Sequence, residues 1–438
     1  MRLRDRPFEH ATMVRVVGPV TPDGALAFRR GLREYLRSDE GGELRRVRDA
    51  PGARWRVPRD SEIDALADAA VIELDDGMDA ETLVKAGIEQ PVLGLPLRIR
   101  LSGALVGFDL PHELFDGTSA GIEGNNVIAL AAGMPLPHPH PQRVKRPLLV
   151  LARRFSLFSP TRLRAARDHY RQVNRGTACA YQASATLTKQ QSVALTRLVH
   201  LKLDGQTMAR IGSLPSTVGV GVADGDSRRR APASIKLGST LLAALEEIGP
   251  PEVDFRVRIP VDLRRYFRRT DFVPGNLTAS LTLGTLRGGN WSPSVMTAAL
   301  ARSIKAGDPV VWFLADALNS ARSAFKAFLA PGRRRSGGVA RRPFEIRLSL
   351  PSGDVVDMGG LWASSTERVV GATTAHELVP LGVYIECASV GSAVHVMLWD
   401  ETGLFDVDDF ERAFHAELDR RGGFRAPRVA AGSDRASA

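Results

Sequence analysis

In VTPDGALAFRRGLREYLRSD the apolar residues Ala25, Phe28, Leu32 and Leu36 recur at helical spacing behind a Pro-Asp-Gly start, which predicts an amphipathic helix. The β-rich run at residues 12–17 predicts a strand before it. GARWRVP reads as another strand, SEIDALADAA as a short helix and VIELDD as a strand. In PLRIRLSGALVGFDLP the alternation breaks at Ser102-Gly103, which predicts a hairpin, and a helix begins near Ser119. The second half offers helices at 234–247, 292–304 and 311–328, strands in DFRVRIPV and NLTASLTL, and a late strand pair, GVYIECASV and AVHVMLWD. DVDDFERAFHAELDRR closes the fold as a helix with acidic residues at its start, where the helix dipole favours them. Helices interleaved with hairpins predict mixed α/β (α+β) layers rather than one parallel sheet.

A chain of 438 residues exceeds what one hydrophobic core usually serves, so two packing units are expected. The segment PLPHPHPQRVKRP, residues 135–147, is proline-rich and aperiodic, and it marks the boundary. The expected division is an N-terminal lobe at 1–147, a C-terminal lobe at 148–425 and a disordered tail at 426–438. SRRRAP and GRRRSGGVARRP read as Arg/Gly-rich loops.

Composition narrows the classes. Cys179 and Cys387 are too few for a disulfide framework and lack metal-ligand spacing, which points to a reducing compartment. No stretch holds about 18 uninterrupted apolar residues, and the first residues carry charges where a signal peptide needs its apolar centre, so a cytoplasmic protein without a membrane span is expected. The formal net charge is +10, and 52 of the 59 basic residues are arginine. Such a surplus suits an anionic partner without choosing among nucleic acid, coenzyme A phosphates and an acidic carrier domain.

The sharpest chemical feature is PHELFDG, where His112 and Asp116 stand four apart at a predicted strand-to-helix turn closed by Gly117. Histidine is the side chain best poised to accept a proton at neutral pH, provided its neighbours fix the ring. Farther on, RIPVDLRRYFRRTDFVPGNLTASL contains PVDLR, with Val261, Asp262 and Arg264, followed by PGN, with Gly275 and Asn276. Order and spacing of these blocks, together with TSAGIEGNNVIALAAG after the turn and AVHVMLWDETGLFDVDDF near the end, resemble the HxxxD acyltransferase superfamily. That superfamily includes chloramphenicol acetyltransferase, nonribosomal peptide condensation domains, plant-type alcohol acyltransferases and polyketide-associated acyltransferases. The resemblance covers most of the chain, least clearly residues 143–232.

The resemblance implies two chloramphenicol-acetyltransferase-like lobes forming a V-shaped pseudo-dimer, with a substrate channel along their interface and the HxxxDG turn at its midpoint. His112 would be the general base, and Asp116, with Gly117, would shape the turn. Asp116 would pair with Arg264 of the second lobe, and Asn276 would line the donor side near the thioester. Ser364 and Ser365 in MGGLWASS loosely resemble the small-residue strand end that faces the reacting carbonyl, which makes them candidate oxyanion donors. Pro111 stands where many condensation domains carry a first histidine.

The implied activity is acyl transfer from coenzyme A or a carrier-protein thioester to a hydroxyl of a small-molecule acceptor, in specialised metabolite or lipid biosynthesis. No resident cofactor is implied, since acyl-coenzyme A or an acyl-phosphopantetheine carrier would be a substrate. The alternatives are an amide-forming freestanding condensation enzyme and a non-catalytic carrier-docking shell. An acyl or peptidyl carrier is the candidate protein partner, and a monomer is expected. A nucleic-acid binder finds no helix-turn-helix or aromatic-basic repeat in its support. His138 and His140 lack a third metal ligand nearby, and His376-Glu377 lacks the second histidine of a zincin. No metal site is expected.

Overall fold

The computed structural model describes residues 11–21, 24–49, 55–90, 94–137, 147–155, 197–215, 231–268, 276–287, 289–315, 344–350, 368–376, 382–390 and 392–422, with a few single positions between them. In chain order the strands are β1 (Ala11–Gly18), β2 (Val71–Glu73), β3 (Arg98–Ser102), β4 (Leu105–Pro111), β5 (Arg197–Leu203), β6 (Arg256–Asp262), β7 (Thr278–Thr285), β8 (Glu345–Ser349), β9 (Val369–His376), β10 (Gly382–Val390) and β11 (Ala393–Asp400). They form two mixed sheets, one ordered β2-β3-β4-β1-β9 and the other β5-β11-β10-β8-β6-β7.

The first sheet is covered on one face by α1 (Gly24–Arg37), α2 (Ile63–Ala70) and α4 (Gly117–Ala131), and on the other by α3 (Ala80–Glu89). Helix α1 buries the predicted stripe of Ala25, Phe28, Leu32 and Leu36, together with Gly31 and Tyr35. Gly31 is needed for contact: a Cβ there would lie 2.5 Å from the backbone nitrogen of Ala131, so only glycine lets α1 approach α4 this closely. Helix α4 is buried along most of its length. Two of its buried polar side chains are tied to α1, Tyr35 Oη donating to Glu123 Oε2 at 2.6 Å and Asn126 Nδ2 donating to Tyr35 Oη at 3.0 Å.

The second sheet alternates cleanly. Val257, Ile259 and Val261 of β6, Ile346 and Leu348 of β8, Val383 and Ile385 of β10 and Leu398 of β11 enter one core with the helices Ala233–Ile248 and Phe410–Gly422. The opposite face looks toward the first sheet. There Tyr384 and Trp399 pack with Val14 and Val16 of β1 and Leu83, Val84 and Ile88 of α3.

One strand crosses the expected division at residue 147. β9 pairs antiparallel with β1 along eight residues, from Ala11 opposite His376 to Gly18 opposite Val369. Trp362, Ala388 and Val390 also join the core of the first sheet. The sheets therefore do not map onto 1–147 and 148–425 as two separate stretches of chain. The physical reason is the free edge of β1, which a late strand satisfies, and no local pattern announces such a partner.

Other expectations changed in detail. Among its described residues, GARWRVP contributes an isolated bridge, Arg56 to Val47. The helix expected at 119 starts at Gly117, and the linker ends in a helix, Pro147–Arg154. The helix expected at 311–328 is helical through 315, and its remainder lies outside the described residues. So do the tail 426–438, Cys179, His138, His140, Glu377, Gly275, Ser364 and Ser365. Cys387 is buried. No described helix is long and apolar enough to cross a membrane, and no group of three metal-capable side chains occurs among the described residues.

Candidate active site

β4 delivers His112 to the point where the first sheet ends. The backbone N–H of His112 donates to Ala11 O at 2.8 Å, fastening the turn to the start of β1. The N–H groups of Leu114 and Phe115 both donate to Pro111 O, at 2.9 and 3.2 Å, which folds the three intervening residues into a tight turn. Leu114 and Phe115 plug the first core. Glu113 is buried beside them and accepts from Arg48 Nη1 at 2.8 Å and Trp55 Nε1 at 2.9 Å.

Asp116 is the N-cap of α4. Its Oδ1 accepts from the Ser119 N–H at 2.9 Å and from Ser119 Oγ at 2.8 Å, while its own N–H donates to Ser119 Oγ at 2.9 Å. Oδ2 reaches the other sheet's elements, accepting from Arg264 Nη1 and from the Leu277 N–H, each at 2.8 Å. Thr118 Oγ1 adds a second tie by donating to Asp262 Oδ2 at 3.0 Å. Asp262 in turn caps the short helical turn Leu263–Tyr266, accepting from the Arg264 N–H at 2.8 Å. Arg264 Nε donates to Val273 O at 2.9 Å, so the guanidinium is gripped on both edges.

Burial works to push the Asp116 carboxyl up, but the Arg264 charge and the hydrogen bonds from Arg264, Leu277 and Ser119 outweigh it and hold the group down at about 2. The neighbouring Asp262 goes the other way, raised by burial and by the charge of Asp116 against the pull of Arg264. Asp116 is thus the permanent anion of the pair.

His112 is buried, with its Nδ1 2.7 Å from Phe115 O. A carbonyl oxygen can only accept, so the ring proton sits on Nδ1 and the Nε2 lone pair is the one that can take a proton. Burial lowers the pKa of His112, and the charge of Arg347 lowers it further, against the Phe115 bond and the Asp116 charge. The ring is therefore neutral at neutral pH, the form a base requires.

Asn276, which the sequence resemblance would put on the donor side, lies against the histidine. It is fully buried behind the histidine, Nδ2 donating to His112 O at 2.8 Å and Oδ1 accepting from the Thr278 N–H at 3.1 Å. With both amide atoms engaged, it holds the turn. Its Nδ2 also lies 3.1 Å from His112 Nδ1; the shorter contact, 2.7 Å to a Phe115 O that can only accept, decides the tautomer. Gly117 is exposed, and a Cβ there would meet nothing within 4 Å.

Sequence reasoning singled out His112, Asp116, Arg264 and Asn276, and the structure brings these four together. It missed Glu113, Arg48, Trp55 and Thr118, which brace the turn. A charged residue inside an otherwise apolar turn was the one available signal for Glu113, while nothing local in Arg48 or Trp55 points to it.

No protein-family model matches the chain, and no curated protein is similar to it in sequence. Solved structures are similar in fold. The first condensation domain of the calcium-dependent antibiotic synthetase, in complex with a substrate analogue, superposes with a TM-score of 0.54 at 15% identity, over 96% of this chain and 92% of that one. The trichothecene 15-O-acetyltransferase of Fusarium sporotrichioides gives 0.57 at 10% identity over 95% and 92%. A nonribosomal peptide synthetase gives 0.58 at 14% identity, covering 97% of this chain, which spans only 42% of that larger protein. Over nearly its whole length the chain therefore has the two-sheet fold common to condensation domains and this O-acetyltransferase, the fold that its sequence resemblance implied.

Proposed function

We propose that the protein is an acyltransferase that moves an acyl group from a thioester, of coenzyme A or of a carrier-protein phosphopantetheine, to a hydroxyl of a small-molecule acceptor. The observation that carries the reading is the state of His112, a buried, neutral imidazole with Nδ1 committed to Phe115 O, on a turn locked to the second half of the chain through Asp116 and Arg264.

In this reading the acceptor hydroxyl gives its proton to His112 Nε2 as its oxygen attacks the thioester carbonyl. The tetrahedral oxyanion then collapses, the C–S bond breaks, and the departing thiolate takes the proton back from the imidazolium. Products are an ester and a free thiol, and the histidine returns to its starting state. Positioned proton transfer of this kind supplies about 10²–10⁴-fold. Asp116 and Arg264 position the base and do not touch substrate. The oxyanion requires donors, for which Ser364 and Ser365 are the proposed source.

Amide formation needs the same proton removal from an amine and would use the same base, so amide-forming condensation belongs to the same reading. The surplus of +10 supports a donor bearing phosphates or an acidic carrier. A cytoplasmic monomer, with coenzyme A or a carrier as substrate rather than cofactor, completes the proposal. The test is incubation of the purified protein with a panel of acyl-coenzyme A and acyl-carrier thioesters plus hydroxyl and amine acceptors, with free thiol as readout. Acceptor-dependent thiol release that His112→Ala abolishes supports the reading. If no thioester releases thiol or binds, it fails, and a carrier-docking shell becomes the better account.

A further inference from the structure

The face of the second sheet opposite its core carries a row of hydrogen-bond donors. Arg258 of β6 is in register with Arg347 of β8, Arg347 with Tyr384 of β10, and Tyr384 with Trp399 of β11. Their sequence neighbours Val257, Ile346, Val383 and Leu398 point into the core, so the four share the face turned toward the first sheet. The Arg347 guanidinium lies over the Tyr384 ring, 5.2 Å from its centroid. Arg258 lies four residues before Asp262, about 13 Å along the strand, and Asp262 bonds the start of α4 beside His112.

Hydrogen bonding in this row is incomplete. Glu345, in the adjacent row, is shared by three guanidiniums, with Arg258 Nη1 at 3.0 Å, Arg347 Nη2 at 3.3 Å and Arg256 Nη1 at 4.0 Å. Glu401 adds a second negative charge acting on Arg347. Glu345 engages only Nη1 of Arg258 and only Nε and Nη2 of Arg347, so neither fork is filled, and Glu386 in the next row is offset by Arg15. Among the described residues, Tyr384 Oη, Trp399 Nε1 and Arg258 Nε have no hydrogen-bond partner, although Tyr384 is 8% exposed and Trp399 2%. All three are donors. Donors buried beside incompletely engaged guanidiniums lack an acceptor, and a carboxylate is the acceptor that a guanidinium fork favours.

We infer that Arg258, Arg347, Tyr384 and Trp399 form a subsite for a carboxylate carried by the substrate, which sets specificity for an acidic acyl group or an acidic acceptor. A planar carboxylate suits the guanidinium forks, as Glu345 already demonstrates within the cluster. The inference rests on the acyltransferase reading for the reaction, but the anion site can be tested without turnover.

The binding test uses glutarate and its neutral isostere glutaramide at constant ionic strength, read as the shift in thermal unfolding. Glutarate should stabilise the wild type and His112→Ala, and glutaramide should not. Arg347→Gln and Tyr384→Phe should both lose most of the glutarate shift. Tyr384→Phe preserves charge and volume, so its loss isolates the hydroxyl even if Arg347→Gln folds poorly. Equal shifts with the two compounds, or a glutarate shift that survives in Tyr384→Phe, overturn the subsite.

Transfer assays then locate the carboxylate. Glutaryl-coenzyme A is compared with butyryl-coenzyme A as donor, and a hydroxy acid with its primary amide as acceptor. A preference in kcat/KM of about tenfold or more for the acid form on one side, the size of one charge-assisted hydrogen bond, and its reduction in Tyr384→Phe, identify the source. Turnover without any such preference overturns the subsite. If no thioester reacts while glutarate still binds selectively, it is the acyltransferase reading that fails and the anion site that stands.

Discussion

Breaking the Asp116–Arg264 pair from its two sides should cost unequal amounts. Asp116 has no exposed surface, whereas Arg264 keeps 16% of its side chain exposed and has a second carboxylate, Asp262, at 3.1 Å. Asp116→Asn therefore leaves a cation with a remaining partner and some water. Arg264→Gln leaves a fully buried carboxylate supported only by the Leu277 N–H and by Ser119. Removing one partner of a buried pair costs about 3–5 kcal/mol, with Asp116→Asn expected at the lower end and Arg264→Gln at the upper. Linkage gives an independent scale: the carboxyl is held at about 2 against an ordinary 3.8, which corresponds to roughly 2–3 kcal/mol. Because the folded value is the depressed one, this stabilisation is complete above pH 3.8 and is lost as pH falls toward 2. Urea unfolding of the wild type, both single variants and the double variant at pH 7, with acid unfolding beside it, measures all of this. The double variant should cost less than the sum of the singles by about 1 kcal/mol or more, and Arg264→Gln should lose less stability than the wild type as pH falls from 3.8 toward 2, because without Arg264 the folded carboxyl is no longer held down against its burial. Single losses that add to within about 0.5 kcal/mol, with an unchanged acid limb, would refute the pairing as a determinant of stability.

His112→Ala should lower acyl transfer by about 10²–10⁴-fold with the fold retained and a stability loss of about 1–3 kcal/mol, since it strands Phe115 O; turnover above about a tenth of wild type counts against a base at this position. The acid limb of kcat/KM should fall below the ordinary histidine value of 6.5, because burial and Arg347 lower the pKa of His112; a limb above 6.5 in a pH–rate profile would contradict that environment. Asn276→Ala should lower kcat and stability together, because it strands the buried His112 carbonyl and the Thr278 N–H at about 1–3 kcal/mol each. Gly117→Ala should leave stability within about 0.5 kcal/mol of wild type, as its Cβ meets open space, so any loss of turnover at unchanged stability would show that substrate passes there.

Elements with strong periodicity were legible in the sequence. The stripe in α1, the hairpin broken at Ser102-Gly103 and the late pair β10–β11 all appear where the pattern puts them. Local pattern could not reveal long-range pairing. β8 joins β6 and β10 in parallel across large sequence gaps, and β9 closes the first sheet from the far end of the chain. The site follows the same division. The cap of α4 by Asp116 is written in Asp-Gly-Thr-Ser, but the ties that matter most, from Arg264 and Leu277 and from Arg48 and Trp55, span from 58 to 161 residues and are set by the tertiary fold. Motif order suggested Arg264; only packing shows Asn276 holding the His112 carbonyl.

The wiring of Asp116 makes base geometry and lobe contact one property. Its Oδ1 builds the turn that holds Phe115 O against His112 Nδ1, and its Oδ2 binds Arg264 and Leu277. The same carboxylate therefore reports to the imidazole whether the second sheet's elements are in place. Asn276 repeats the logic through the backbone, gripping His112 O from the start of β7. A shift of β7 by even 1 Å would lengthen the Asn276 and Leu277 bonds together, and misplacement on that scale can cost about 10²-fold in rate. Substitutions that loosen this contact without touching His112, as at Thr118 or Asp262, should thus lower kcat before they lower global stability, because only the turn depends on those bonds while both cores remain packed.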